Sequence, residues 1–293
     1  MPIETNSRPV LVTGATGNTG TALLTLLAER GTSVRAMVRK QSDAAKLPEG
    51  VTAVFADFDN AGSLAAALHG TSRAYLVTPS SEQAQAQQLR FADLAVQAGV
   101  QQLVVLSQLA AAEHSPVRFL RYHAAVERHV QNLGIDYTFL QPNLYFQGLL
   151  AFAGSIAADN RFYAPIGDAT ISAVDVRDIA AVAAAALTET GHGRQTYPLT
   201  GPAALTHTEI AAALSAALGR AITFLDVSPD TFAGSLEGIL PPWQVAGLLE
   251  DYAHYSRGEA ATITPIVEQV TGQPPTGVAQ FAHDYAPRFA AHP

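Results

Sequence analysis

The fold is decided by the stretch Val10-Leu11-Val12-Thr13-Gly14-Ala15-Thr16-Gly17-Asn18-Thr19-Gly20, which leads from an apolar strand through three glycines into a helical pattern. At this spacing Gly14 makes a tight turn, Gly17 lets the backbone approach a diphosphate, and Gly20 lets helix and strand pack closely. The helix start then offers N–H donors and a positive dipole end to an anion. This context predicts a dinucleotide site and not merely a flexible turn. Three polar side chains of the turn are expected to add contacts: Thr16, Asn18 and Thr19.

Short apolar strands alternate with amphipathic helices on both sides of this turn, through about residue 150. Six strands are predicted, at Val10–Val12, Ser33–Val38, Val51–Phe55, Ala74–Val77, Leu103–Leu106 and Tyr137–Leu140. Four helices are predicted between them, at Thr19–Arg30, Ser63–Leu68, Glu82–Ala98 and Val117–Leu133. Such alternation indicates an α/β fold, a Rossmann-type doubly wound parallel sheet with helices on both faces.

The pattern changes after residue 150 to longer helices, small strands and more proline. We therefore expect an NAD(P)-binding Rossmann domain over residues 1–150 and a smaller, mostly helical substrate-binding region over residues 151–293. Elements of the second half can add to the sheet. Because open α/β sheets bind ligands at the carboxyl ends of their strands, the second region is expected to pack there.

Composition excludes several classes of function. The 293 residues include 17 basic and 25 acidic ones, a net charge of −8, with 14% charged and 48% hydrophobic residues, as in compact globular proteins. No basic stripe is present, which argues against nucleic acid as a partner. Cysteine is absent, so disulfides, thiolate nucleophiles and Cys-based zinc sites are excluded, and no metal site is expected.

Targeting signals are also absent from the sequence. The opening residues 1–6 lack the pattern of a secretory signal, and the longest apolar run, residues 179–187, is far short of the roughly 20 residues that span a bilayer. These features predict a cytoplasmic protein that acts on a small-molecule substrate, with no membrane partner. Whether the protein is a monomer or a homodimer stays open.

The end of the second strand favours NADP(H) over NAD(H). An acidic residue usually follows the glycines by about 20 positions and binds the ribose 2′-hydroxyl, but here that place holds Arg39, followed by Lys40. Arginine offers a planar fork of donors to a 2′-phosphate; the alternative is an ordinary solvated charge pair. Asp57 and Phe58, after the third strand, are expected at the adenine. Thr78 and Pro79, after the fourth, are expected beneath the ribose.

Five further segments carry a resemblance to a known family. They are residues 13–20, His123–Arg128, Gly134–Asn143, Val174–Ala180 and Tyr197–Pro202. Together they resemble the NmrA-like family of atypical short-chain dehydrogenases, which includes quinone reductases, triphenylmethane-dye reductases and redox-sensing transcription co-regulators. The chain departs from many members at Gln141, where they carry arginine, and at His123, where they carry lysine. Histidine at that position is similar to the quinone and dye reductases.

The lysine count limits the chemistry that this resemblance implies. Ordinary short-chain dehydrogenases pair a tyrosine with a lysine four residues later, and the lysine lowers the pKa of the phenol. Tyr122 is followed at that spacing by Val126, and the chain has lysine only at Lys40 and Lys46. The usual route of alcohol dehydrogenation is therefore disfavoured, whereas hydride transfer to a quinone, an enone or a carbocationic dye depends chiefly on positioning.

His123 is the first candidate for a catalytic acid or hydrogen-bond donor, because an unperturbed imidazole populates both protonation states near neutral pH. The alternative is a hydrogen bond within its helix, to Glu127 one turn on. Tyr145 is the second catalytic candidate. The ends of strands five and six are expected to add cofactor contacts, or equally to satisfy their own loops: Ser107, Gln108, Pro142, Asn143 and Leu144. Five aromatics are expected to form a substrate wall or to fill the core: Phe146, Phe152, Phe162, Tyr163 and Trp243.

Two functions follow from these features. The preferred one is an NADPH-dependent reductase of quinone-like or other electron-poor small molecules, favoured by His123 and by the apolar second half. The alternative is a catalytically weak NADP(H)-binding redox sensor that acts through a protein partner, favoured by Gln141 and by the shortage of lysine. A sensor must bind its ligands with different affinities in two conformations.

Overall fold

A computed structural model describes residues 8–290 of the chain. The expectation about a secretory signal concerns residues 1–6, which lie outside the described residues. The nine strands are β1 Val10–Val12, β2 Val34–Val38, β3 Thr52–Phe55, β4 Arg73–Leu76, β5 Gln102–Leu106, β6 Asp136–Pro142, β7 Arg161–Ala164, β8 Gln195–Leu199 and β9 Thr223–Asp226 within the described part. The helices described are α1 Asn18–Glu29, α2 Gln41–Ala44, α3 Ala61–Leu68, α4 Ala84–Gln97, α5 Arg118–Asn132, α6 Ala153–Asp159, α7 Val176–Thr188, α8 His207–Leu218, α9 Pro229–Leu236, α10 Pro242–Ser256, α11 Ile266–Thr271 and α12 Val278–Phe289, with a 3-10 helix at Phe146–Phe152.

Seven strands form the main sheet in the order β3-β2-β1-β4-β5-β6-β8. The pairs β1–β2, β2–β3, β1–β4, β4–β5 and β5–β6 are all parallel. The chain runs outward from β1 to β3 and then returns to the other side of β1 at β4. Because ligands of such sheets bind where the winding direction reverses, β1 and β4 mark the expected site.

The predicted fold class is confirmed. All six predicted strands and all four predicted helices are present, with ends displaced by at most two residues. Strand β8 from the second half joins the main sheet, and β7 and β9 pair in parallel as a separate two-stranded sheet. The sequence pattern missed α2, which is only four residues long and buries none of its side chains.

Two compact units interleave along the chain. Of the described residues, 8–107, 122–141 and 179–197 form the first unit, and 108–121, 142–178 and 198–290 form the second. The core of the first unit contains strand residues such as Leu11, Leu103 and Phe139. The core of the second contains Phe162 and Phe281. Each unit therefore encloses its own apolar cluster.

The glycine turn is held by backbone packing that admits no side chain. Gly14 has φ of +60°, in the left-handed region that glycine adopts without steric cost. A Cβ at Gly20 would stand 2.1 Å from the carbonyl oxygen of Gly14, and one at Gly14 would stand 2.4 Å from Val77 Cγ1. Gly20 thus lets the start of α1 pack directly on the turn that ends β1.

Within residues 8–290, no helix is both long and apolar enough to cross a bilayer.

Candidate functional site

The start of α1 offers backbone donors to an anion. Its N-cap is Gly17, which has no side chain to accept a hydrogen bond from the first-turn amides, and the first turn contains no acidic residue. A helix of 12 residues carries a positive dipole end at such a terminus. The Thr19 hydroxyl is engaged within the protein, because it accepts a hydrogen bond of 3.2 Å from the buried Tyr75 hydroxyl. Asn18 and Thr19 are both residues of this first turn.

A cavity of about 300 Å³ in the first unit adjoins this turn. It brings together six of the residues that the sequence singled out: Gly14, Thr16, Arg39, Asp57, Phe58 and Pro79. Among the residues that the structure describes, the exposed Arg39 guanidinium makes no hydrogen bond or ion pair, so its donors are open to a ligand. The glycine turn, the uncapped amides and this arginine together fit a dinucleotide with a phosphate on its adenosine ribose.

Eleven of the expected cofactor residues do not line this cavity: Gly17, Asn18, Thr19, Gly20, Lys40, Thr78, Ser107, Gln108, Pro142, Asn143 and Leu144. Lys40 is exposed and forms the N-cap of α2. The Thr78 hydroxyl accepts a hydrogen bond of 2.9 Å from Gln88 Nε2. Gln108, Pro142, Asn143 and Leu144 belong to the second unit.

A half-buried carboxylate, Glu127, lies between the ends of β5 and β6 in the first unit. The Ser107 hydroxyl donates a short hydrogen bond to Glu127 Oε1, and Gln141 Nε2 donates to the same oxygen at 2.9 Å. Burial raises the pKa of Glu127, and the two hydrogen bonds oppose this shift. Gln141 therefore gives Glu127 a neutral donor.

His123 is buried beside Tyr122, with the two ring centroids 4.0 Å apart. Burial lowers the pKa of His123 to about 3, and its Nδ1 atom makes no hydrogen bond within the described residues. The expectation that both protonation states are populated near neutral pH is therefore wrong for this structure, because the desolvated imidazolium is strongly disfavoured. The Glu127 carboxylate accepts from Ser107 and Gln141, and His123 is not among its hydrogen-bond partners.

A second cavity, of about 240 Å³, lies within the second unit and is mostly apolar. Its lining includes four residues that the sequence singled out: Leu144, Tyr145, Phe146 and Phe152. The other proposed wall residues are placed differently. Phe162 is a core residue, Tyr163 packs edge-on against Phe152, and Trp243 packs against Phe119 at a centroid distance of 5.3 Å.

The apolar cavity also has polar residues in its lining, which the sequence pattern did not indicate. Gln108, which we expected at the cofactor, contacts one of them. Asp251 and His207 line the cavity, and Gln108 Nε2 donates a hydrogen bond of 3.0 Å to Asp251 Oδ1. Burial raises the pKa of Asp251 to about 7 and lowers that of His207 to about 4. Both side chains therefore favour their neutral forms, as expected for groups in apolar surroundings.

Asn143 has a structural role in the second unit. Its Nδ2 atom donates to Ser172 Oγ at 2.9 Å and to the Ala260 carbonyl at 2.8 Å, and its Oδ1 atom accepts from the Leu144 amide. The neighbouring Pro142 is buried and its carbonyl accepts from the Leu109 amide at 2.9 Å. Asn143 thus links the segment after β6 to Ser172 and Ala260, which are distant in the chain.

The residues missed by the sequence analysis share one property. His207 and Asp251 are polar positions on helices, and helix patterns place polar residues on the solvent face. Their burial depends on packing between elements far apart in the chain. A motif search could not have detected it.

Comparisons with known proteins give consistent results. A model of the NmrA-like family matches residues 6–276. The NAD(P)H azoreductase of Xenophilus azovorans is 36% identical over 284 residues, which are 96% of this chain and 99% of that protein. The structure of an Escherichia coli NADPH-dependent quinone oxidoreductase with NADPH has 28% identity and a TM-score of 0.85, covering 94% of this chain and 99% of that one. The Citrobacter sp. triphenylmethane reductase with NADP(H) has 26% identity and a TM-score of 0.82, with the same coverage.

We predict that His123 contributes to acid sensitivity of the fold. Its pKa is about 3 in the folded state and about 6.5 in the unfolded chain, so the unfolded state binds more protons below pH 6.5 and stability falls as pH decreases. Acidification from pH 7 to pH 5 should cost about 2 kcal/mol through this group.

Chemical denaturation of wild type and His123→Phe at both pH values measures this effect. The variant should lose about 2 kcal/mol less stability than wild type on acidification. His283→Phe is the matched control, because His283 is 82% exposed. Equal pH dependence of wild type and His123→Phe would show that the imidazole is not held neutral by burial.

Proposed function

The chain belongs to the NmrA-like family, and we propose that it is an NADPH-dependent reductase of quinone-like, azo or other electron-poor small molecules. Its relatives are named for reduction of azo compounds, quinones and triphenylmethane dyes. These names favour an enzyme over a redox sensor that acts through a protein partner.

The observation that carries this proposal is the glycine cradle at the start of α1. Gly20 cannot accept a Cβ without contact with the Gly14 carbonyl, and the uncapped amides of the first turn require an external acceptor. In the proposed complex the first-turn amides bind the diphosphate of the cofactor. Phe58 and Asp57 take the adenine end, since both line the adjoining cavity.

The preference for NADP(H) over NAD(H) rests on Arg39. Its guanidinium lines the same cavity, and no carboxylate of the described residues is paired with it. A bidentate arginine contact to a doubly charged phosphate is a strong, charge-assisted interaction. Lys40 is proposed to add a weaker, more distant attraction.

The acceptor is proposed to bind in the apolar cavity of the second unit. Tyr145, Phe146 and Phe152 give it aromatic walls, which suit a flat conjugated ring and exclude water from the reaction. The cofactor, when bound, supplies the hydride. The chain lacks the tyrosine–lysine pair that alcohol dehydrogenation requires, since Val126 follows Tyr122 at the relevant spacing. Electron-poor acceptors do not need that pair.

The experiment that tests the proposal follows NADPH oxidation in the presence of a panel of quinones. We expect acceptor-dependent oxidation by wild type. Gly20→Ala should weaken cofactor binding at least about 10-fold, because the new Cβ displaces the backbone that holds the diphosphate. Gly154→Ala is the control, since Gly154 is exposed and a Cβ there meets nothing within 4 Å.

Tight NADPH binding without acceptor-dependent oxidation would refute the reductase and support the sensor. Full activity in Gly20→Ala would refute the proposed cofactor site.

Cofactor preference gives a separate prediction. Arg39→Asp should weaken NADPH binding about 100-fold and leave NADH binding within about 3-fold, because only NADPH carries the 2′-phosphate. Titration of both cofactors by calorimetry measures the two affinities. Arg30→Asp is the control for charge, because Arg30 caps the opposite end of α1. Equal losses for the two cofactors would contradict the assignment of Arg39.

A further inference from the structure

Asp251 is the one carboxyl group among the residues that line the apolar cavity of the second unit. It lies on α10 and is 6% exposed. Among the residues that the structure describes, Gln108 is hydrogen-bonded to the Asp251 side chain, and its amide Nε2 donates to Oδ1 at 3.0 Å. A single neutral donor does not compensate a buried negative charge, so the pKa of the carboxyl group is raised to about 7 and the group keeps its proton in mildly acidic solution. A protonated carboxyl group can donate a hydrogen bond, whereas a carboxylate can only accept one.

The groups that face Asp251 do not supply a positive charge. On its own helix, Glu250 raises the pKa of Asp251 further and is itself bound by Arg118, with Nη2 and Oε1 2.6 Å apart. Tyr252 and Tyr255 are buried phenols whose pKa values lie above the ordinary range. Burial therefore keeps both tyrosines neutral at physiological pH.

The remaining cavity walls add two titratable groups. Tyr145 comes from the segment that follows β6, and His207 from the start of α8. His207 is 3% exposed, and its Nδ1 atom has no hydrogen-bond partner within the described residues. His207 therefore brings a buried, neutral imidazole to the cavity wall and no positive charge.

We propose that Asp251 is a catalytic acid that protonates the acceptor, and that the cavity therefore serves flat acceptors with a carbonyl or azo group, whose reduction consumes a proton. This inference rests on the proposed reductase function. Gln108 is a positioning residue, because its amide fixes Oδ1 and leaves the second carboxyl oxygen to carry the proton. Asp251 and its neighbours thus define the class of substrate.

The proposed step balances for a quinone. The quinone takes up one hydride, which brings two electrons, and becomes the quinol monoanion. Its new O–H bond forms as the Asp251 O–H bond breaks, and Asp251 is left as a carboxylate that regains a proton from water. The two electrons come from NADPH, which is oxidised to NADP⁺. An azo group accepts one hydride and one proton in the same way and becomes a hydrazo group.

Carbocationic dyes provide a contrasting acceptor. Hydride addition to the central carbon of such a dye gives a neutral product directly, and no proton is consumed. If Asp251 is the proton donor, its removal should impair quinone reduction and spare dye reduction. A residue needed only for folding or cavity shape would affect both reactions alike.

The test compares wild type, Asp251→Asn and Asp168→Asn with NADPH and saturating quinone or cationic dye. At pH 6 we expect Asp251→Asn to lower kcat for the quinone about 100-fold, in the range typical of general acid catalysis, and to leave kcat for the dye within about 3-fold. Asp168→Asn is the control because Asp168 is exposed in the same unit.

The pH profile of the native protein is an independent readout. Above pH 7, where Asp251 ionises, kcat for the quinone should fall about 10-fold per pH unit and converge on the rate of Asp251→Asn. The dye rate should not show this decrease. Because the profile uses wild type, it can refute the inference even if the variant does not fold.

Infrared spectroscopy of the cofactor-free protein with isotope-labelled aspartate measures the protonation state of Asp251 in the absence of catalytic turnover. A protonated carboxyl band should be present at pH 5, disappear by pH 9 and be missing from Asp251→Asn. The inference would be overturned, and the reductase function would stand, if Asp251→Asn lost both quinone and dye reduction or retained both. The same conclusion would follow if kcat of wild type for the quinone did not change with pH. Failure of wild type to oxidise NADPH with any acceptor would overturn the proposed function, and the inference with it.

Discussion

The close approach between the start of α1 and the end of β1 is the constraint on which the first unit depends. Two backbone segments meet at Gly14 and Gly20 with no space for a side chain between them. This contact aims the uncapped amides of α1 at the space beyond β1, at the point where the winding of the sheet reverses. The same packing therefore orders the sheet and supports the anion site that we propose.

A second constraint acts on two carboxyl groups, Glu127 and Asp251, whose described hydrogen-bond donors are all neutral. Glu127 in the first unit and Asp251 in the second each receive hydrogen bonds from neutral donors: Ser107 and Gln141 for Glu127, and Gln108 for Asp251. Burial raises the pKa of both carboxyl groups. The result is a pair of carboxyl groups able to retain protons at higher pH than usual. The buried Asp175 differs from both, because it is paired with the Arg177 guanidinium.

The sequence predicted the first unit well, because each element there is defined by local signals. The glycine spacing, the apolar strands and the helix ends at Gly31, Gly70, Gly99 and Gly134 are all visible within about 10 residues of the element they define. The cofactor cavity followed from the same logic, since the ends of β1, β2, β3 and β4 converge in a doubly wound sheet. Six of the residues expected around it line one cavity.

The second unit was less predictable, for a physical reason. Its cavity gathers Tyr145, His207 and Asp251 from three segments that are well separated along the chain. The protonation states there depend on burial, as they do for His123, and burial depends on long-range packing. The sequence pattern therefore predicted an ordinary pKa for His123 and gave no signal that Asp251 lines a cavity. Both departures have the same cause, which is desolvation.

The most direct test of the cofactor-binding account is a crystal structure of the chain with NADP⁺. The account places the diphosphate against the amides of residues 17–20 and the 2′-phosphate within hydrogen-bond distance of the Arg39 guanidinium. A diphosphate bound away from the glycine turn, or a 2′-phosphate without contact to Arg39, would contradict it.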